Sequence, residues 1–306
     1  MSLLSLTVPL LVFINALFFC YWLLQGSRNL LLSGLVLIVG YVILGTFFKF
    51  QTSEEPIRNG EVSVMSFNSR GFNRSATIKD KTVGAQIVDL VRAKDPDIVC
   101  FQEFDYTKKN SAEFDQYDYS FVDFEYGYKK VILAIYSKFP IIGKGSLDFP
   151  DSSNNAIYVD VVINKDTVRL YNMHLESHKV VPTVEEISKE PKTRLFKRMS
   201  ESFAKQQEQV AIFNEHRNAT PYKKIVCGDF NNTQFSNVYH VIKGDMQDTF
   251  MEQGVGYGRT FNFKYYPVRI DFILVDKAFQ VKAHKNFDVK LSDHFPLMAS
   301  FDFGGQ

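Results

Sequence analysis

The composition of this 306-residue chain breaks near residue 50, and that break constrains the fold more than any other feature of the sequence. Leu3 to Leu24 and Leu30 to Phe48 contain no charged side chain and consist mostly of Leu, Val, Ile and Phe. Each run is long enough for a bilayer-crossing helix. A secretory signal would have a basic start and a shorter apolar core ending in a small-residue cleavage site; here the start is uncharged and two runs follow each other. Soluble helices of this length normally show a polar face, which both runs lack. The expectation is a transmembrane helical hairpin over residues 1–50, a multi-pass anchor in the cell membrane. The connection Gln25 to Asn29 carries one charge, Arg28, whereas Lys49 is followed by Glu54 and Glu55. That bias places the turn in the cytoplasm and the rest of the chain on the periplasmic or extracellular side. Residues 51–60, polar with Pro56 and Gly60, read as a linker.

Residues 61–306 read as one further domain, in which strand-like and helical runs alternate. Several strand-like runs end in polar residues. Val62 to Phe67 ends at Asn68, Ile98 to Phe101 at Gln102 and Glu103, Val168 to Met173 at His174, and Ile225 to Cys227 at Gly228 and Asp229. Val83, Ile87, Leu90 and Val91 give one helix an apolar face; Leu195, Met199, Phe203, Val210 and Phe213 give a longer helix the same. Ile157 to Ile163 and Val168 to Met173, joined across Asn164-Lys165-Asp166, read as a hairpin. Strand pairs mixed with helices argue for an α/β (α+β) fold of two packed mixed sheets with outer helices, and against a doubly wound parallel sheet. A formal net charge of +1 advertises no polyanionic partner overall. Cys20, Cys100 and Cys227 lie in apolar runs without disulfide or zinc spacing, so they read as small buried hydrophobes.

Polar residues at strand ends that would otherwise be core need partners or a purpose, because burying them alone costs free energy. Singly, each has a plainer reading: Asn68 as a turn residue, Glu103 as solvent-facing, His174 or His294 as a satisfied structural histidine. Together they form an ordered set: Ser66-Phe67-Asn68, Pro96-Asp97 through Gln102-Glu103, Asn172-Met173-His174-Leu175-Glu176, Gly228-Asp229-Phe230-Asn231, Arg269-Ile270-Asp271-Phe272 and Ser292-Asp293-His294-Phe295-Pro296, with a weaker piece at Ile135 to Ile141. This set resembles the endonuclease/exonuclease/phosphatase superfamily over about residues 61 to 302. The resemblance implies a deoxyribonuclease-like four-layer sandwich and a Mg²⁺-dependent phosphoester hydrolase, with Mn²⁺ as a possible substitute.

The residues suit that chemistry. Mg²⁺ prefers hard oxygen ligands and keeps several waters, so Asn68 and Glu103 make a sparse site. Attack by water needs a base or an orienting acceptor, and two pairs offer one: Asp229 with Asn231, two residues apart and on one face if the strand continues, and His294 backed by Asp271. By resemblance Asp229 aligns the water, Asn231 and His174 contact the phosphate, Asp271 and His294 stabilise the transition state or move a proton, and Asp293 serves a second metal or the surrounding hydrogen bonds. The sequence leaves the general base open. Lys189, Lys192, Arg194, Lys197, Arg198 and Lys205 form a basic stretch that fits phosphates or anionic headgroups, or simply a solvated helix face. Candidate substrates are nucleic acid, a lipid headgroup or a small phosphoester, with no obligate protein partner. A sphingomyelinase-like headgroup diesterase and an inactive binding member of the fold are the alternatives; the complete motif set disfavours the second.

Overall fold

In a computed structural model, the structure describes residue 5 and residues 7–51, 57, 60–108, 112–126, 129–178, 191–263 and 267–303. The chain opens with two helices, α1 (Val8–Leu24) and α2 (Leu30–Leu44). Strands β1 (Val62–Asn68), β2 (Ile98–Gln102), β3 (Tyr119–Val122), β4 (Ala134–Ser137), β11 (Phe279–Asn286) and β12 (Leu297–Phe303) form one sheet, in the order β11-β12-β1-β2-β4-β3. Strands β5 (Ile141–Asp148), β6 (Asn155–Ile163), β7 (Asp166–His174), β8 (Lys223–Asp229), β9 (Gln247–Asp248) and β10 (Asp271–Val275) form the other, in the order β5-β6-β7-β8-β10-β9. Each sheet is mixed: β1 with β2 and β7 with β8 pair in parallel, and the remaining pairs are antiparallel.

The sheets pack face to face. Val64, Ile98, Cys100 and Ile135 from the first meet Val159, Leu170, Ile225, Cys227 and Ile273 from the second in one buried cluster. Helix α3 (Val83–Lys94) covers the outer face of the first sheet with Val83, Ile87 and Val91. Helix α4 (Lys192–Ala219) and the short α5 (Asn237–Lys243) cover the second with Val210, Phe213, Val238 and Ile242. A short helix α6 (Thr249–Gln253) follows β9. The result is the expected helix-sheet-sheet-helix sandwich. The β6-β7 hairpin turns on Asn164 and Lys165, both at positive φ (49° and 73°), the turn geometry that matches strand twist.

The N-terminal expectation is corrected. Within the apolar runs 3–24 and 30–48 the helical hairpin is limited to α1, with 17 residues, and α2, with 15. At 1.5 Å per residue these are about 26 and about 22 Å long, short of a hydrocarbon core of roughly 30 Å. Among the described residues no helix is long and apolar enough to cross a membrane. The second run stops early for a local reason: Gly45 turns the chain at φ 79°, and the apolar residues beyond it pack on the sandwich. Phe47 and Phe48 set their rings 5.1 and 4.8 Å from that of Tyr257. Lys49 and Gly256 exchange two backbone hydrogen bonds. The Lys49 ammonium also caps the Met251 carbonyl at 2.6 Å. Of the linker, residues 52–56, 58 and 59 lie outside the described residues.

Candidate active site

Strand register assembles the site. Across the second sheet Asn155, His174, Asp229 and Asp271 stand side by side on β6, β7, β8 and β10. In the first sheet Asn68 pairs with Gln102, one residue before Glu103. The polar ends therefore meet at the same edge of the sandwich. Local backbone keeps them there. Gly228, at φ 141°, lies so close to β7 that a Cβ would overlap the Met173 carbonyl, which explains the glycine ahead of Asp229. Glu103 holds a left-handed φ of 49°, a costly state for a side-chain-bearing residue and one that clusters at functional sites.

Asp229 is the hub. Its Oδ2 accepts from the Asn68 amide at 3.1 Å and lies 3.5 Å from His174 Nε2 and 3.6 Å from His294 Nε2. Asn68 also donates to Glu103 Oε1 at 3.1 Å, and His174 Nε2 lies 3.4 Å from that same oxygen. Behind His294, Nδ1 faces the Asp271 carboxylate at 2.9 and 3.1 Å. Asp271 is fixed in turn by a backbone N–H bond to the Thr260 hydroxyl. Asn68, His174, Asp229, Asp271 and His294 are all buried.

Charge placement shifts the titrations. Burial works to raise Glu103, but the hydrogen bond and charge of His174 and the Asn68 amide hold it down at about 2. Burial works to lower His294, yet the charges of Asp271 and Asp229 push it up to about 10. His174 moves up as well: its burial is outweighed by its contacts with Glu103 and Asp229. The buried Asp271 is raised by desolvation, opposed by His294. The His294 imidazole, its titration pushed upward, thus sits against two carboxylates.

One expectation changes. Asn231 does not continue the strand beyond Asp229: it turns at φ 49°, its N–H bonds back to Asp229 Oδ1 at 2.8 Å, and its amide donates to the Leu175 carbonyl. It borders the site through a turn rather than a shared strand face. Asp293 forms an ion pair with Arg70 at 2.8 Å, and Asp229, Asp271 and His294 bring potential ligand atoms within 4.8 Å of one another. The Glu103 and Asp229 carboxylates, both bonded to the Asn68 amide, offer the hard oxygen that a divalent cation takes, while Cys100 and Cys227 lie away in the inter-sheet core.

Sequence reasoning missed Asn154, Thr260 and Arg70. Asn154 accepts from His174 Nδ1 at 2.6 Å and donates to Glu176 at 3.0 Å, so a carboxylate orients the amide that orients the imidazole. A polar residue beside Asn155 at the start of β6 was the available signal. Asn172, inside a quoted motif, is a staple between sheets: it accepts from Gln102 at 2.6 Å and donates to the Phe101 and Ala134 carbonyls. The basic stretch begins α4, except Lys189, which lies outside the described residues. There Lys197 pairs with Glu201 and Lys205 reaches the Asp151 carbonyl, as on a solvated helix face.

The model of the Endonuclease/Exonuclease/phosphatase family matches residues 65–294, most of the chain and every residue of this site. This chain belongs to that family. Residues 1–47 match the model of a domain of unknown function (DUF8431). Among curated proteins none matches the sequence. Solved structures share the family fold. A mannosyl-6-phosphatase of Bacteroides thetaiotaomicron is 18% identical at a TM-score of 0.58, covering 79% of this chain and 100% of its own. The human nocturnin catalytic domain with bound sulfate is 15% identical at 0.58, covering 79% and 94%. D. rerio TDP2 complexed with single-strand DNA product is 17% identical at 0.58, covering 80% and 100%.

Proposed function

We propose that this family member hydrolyses phosphoester bonds with a divalent cation, Mg²⁺ or its substitute Mn²⁺, while its N-terminal hairpin holds the catalytic domain against a membrane. The observation that carries the reading is the convergence of Asn68, His174 and His294 on the single carboxylate of Asp229, at one edge of two sheets. Asn68 and Glu103 would hold the cation, with the Asp229 and Asp271 carboxylates close by. Such a cation supplies Lewis-acid polarisation of a phosphoryl oxygen and charge for the leaving oxygen.

The chain's own residues do the rest. Glu103, held near 2, stays ionised across the working range. Asp229 accepts a hydrogen bond from the attacking water and aligns it. His294, kept protonated by Asp271 and Asp229, presents Nε2–H to a phosphate oxygen, a preorganised donor that costs no reorganisation during reaction. His174 and Asn231 contact the phosphate from the other side. Asp293, balanced by Arg70, adds to the negative field that holds the proton on His294.

The hairpin supports the membrane assignment, because no residue of α1 is buried and Leu10, Phe13, Leu17, Leu31, Leu35 and Ile38 are each more than half exposed. Helices too short to cross do not let Arg28 assign sides; we keep the catalytic domain on the periplasmic or extracellular face, the leaflet that the hairpin enters. The substrate is then a nucleic acid, a lipid headgroup or a small phosphoester on that side. The test is turnover of bis-p-nitrophenyl phosphate, p-nitrophenyl phosphate and single-stranded DNA by the full chain in detergent. Hydrolysis of at least one, abolished by chelator and restored by Mg²⁺, is expected. Equal turnover in excess chelator removes the metal, and silence on all three with Mg²⁺ and Mn²⁺ removes the activity. Reporter fusions at Gln306 active in the cytoplasm alone overturn the outward placement.

A further inference from the structure

Where the hairpin meets the sandwich there is an open groove of about 540 Å³, lined among the described residues without a single charged side chain. Val12 of α1 and Leu37 and Gly40 of α2 form one side; Phe48, Phe235 and Tyr257 form the other. A Cβ added at Gly40 would meet nothing within 4 Å, so the missing side chain is part of what leaves the space open.

We infer that this groove receives one hydrocarbon chain of a membrane lipid, and that the phosphoester cleaved at the Asp229 site is carried on that lipid. The inference rests on the hydrolase and membrane readings above and names their substrate class. Two observations select a lipid chain as the occupant. First, the helical side of the groove is continuous with a hairpin that is apolar all round. A docking face for a protein would be an apolar patch with a polar rim, and α1 and α2 have no such rim. The solvent that matches such a surface is lipid tail. Second, the domain side of the groove is built from the two loops that also build the catalytic site. Phe235 follows Asn231 by four positions in the same loop, and Tyr257 precedes Phe261 by four. The Phe261 ring packs edge-on to His294 at 4.9 Å, and its backbone bridges to His294. Gly256, beside Tyr257, is pinned to Lys49 at the end of the hairpin. A chain held in the groove is therefore enclosed by the same segments that position the phosphate-facing residues.

The test uses the full chain in amphipol, free of detergent, with two readouts. Binding is read by the fluorescence of cis-parinaric acid, a long-chain fatty acid without a phosphoester. Saturable one-to-one binding is expected, weakened about tenfold or more in Gly40→Leu, which fills open space and favours the helix, and likewise in Val12→Trp from the opposite helix. Turnover is read as the ratio of KM values for hexadecyl and methyl p-nitrophenyl phosphate. The wild type prefers the long chain, since each buried methylene is worth about fourfold, and both variants lose that preference. Absence of saturable binding, or equal affinity in wild type and both correctly folded variants, overturns the inference. A dimer that comes apart in Gly40→Leu with no probe bound assigns the groove to a second copy and overturns it too. Binding without turnover of either ester supports the groove and removes the hydrolase reading, whereas turnover without binding or chain preference does the reverse.

Discussion

His174 and His294 set their Nε2 atoms 3.5 and 3.6 Å from the same Asp229 oxygen, and they differ in what stands behind them. His294 is backed by a full charge, the Asp271 carboxylate, and is pushed up to about 10 against the cost of its burial. His174 is backed by a neutral amide, Asn154, and owes its upward shift to Glu103 and Asp229 in front of it, while the charge of His294 opposes it. The comparison teaches that an imidazole's role is set partly from the rear: a carboxylate there favours the charged ring, whereas an amide fixes orientation and leaves the charge dependent on the groups in front.

The largest test of this asymmetry is His294→Ala. With His294 donating to the phosphate as proposed, its removal is expected to cost on the order of a hundredfold or more in kcat, and added Mg²⁺ will not restore it. Recovery at high metal would erase the distinction between the two imidazoles. Glu103→Gln comes next. It removes the proposed cation ligand and the charge that supports His174, so activity at low Mg²⁺ should fall on the order of ten- to a hundredfold and return in part at high Mg²⁺. A curve of rate against Mg²⁺ that does not shift would separate Glu103 from the metal.

Asp271→Asn should cost less, about tenfold, because the imidazole stays and only its rear charge is lost. The sign is fixed by the direction of the shift. His294 titrates higher in the folded protein than in the unfolded chain, so its stabilising contribution is complete below about 6.5 and disappears as pH rises through about 10. Wild-type thermal midpoints should therefore drop across that window, and Asp271→Asn should flatten the drop and bring the alkaline loss of activity to lower pH. An unchanged His294 proton titration by NMR would refute the assignment. The smallest effect belongs to Asn154→Ala, a few-fold loss from one neutral hydrogen bond worth about 1 kcal/mol. A loss as large as that of His294→Ala would mean that the amide does more than orient.

The parts of the site legible in the sequence are those that sit at strand ends. Asn68, His174 and Asp229 each close a β-strand where the apolar run predicted it, since period and polarity change together at that point. Asn231 was misread, because a two-residue spacing implies a shared face only while the strand lasts, and an Asx turn ended it. Asn154 and Thr260 carried no periodic pattern: each acts through hydrogen bonds to residues remote in sequence, Asn154 to His174 and Glu176, Thr260 to the Ile270 and Asp271 backbone. The hairpin was overextended for a similar reason, as Phe47 and Phe48 are apolar for the sake of Tyr257 and not for a helix.

What the sequence determined by itself was the local inventory: which segments extend, which coil, and which strands end in groups able to handle a phosphoester. Periodicity and polarity are short-range properties, so they are written in consecutive residues. Only the tertiary structure decided who faces whom. The register that lines up His174, Asp229 and Asp271, the inter-sheet approach that brings Asn68 to Asp229, and the choice of a carboxylate behind one imidazole and an amide behind the other all depend on contacts between residues distant in sequence. Such contacts are fixed when the two sheets close on their common core, because burying those polar ends is tolerable only where each finds its partner.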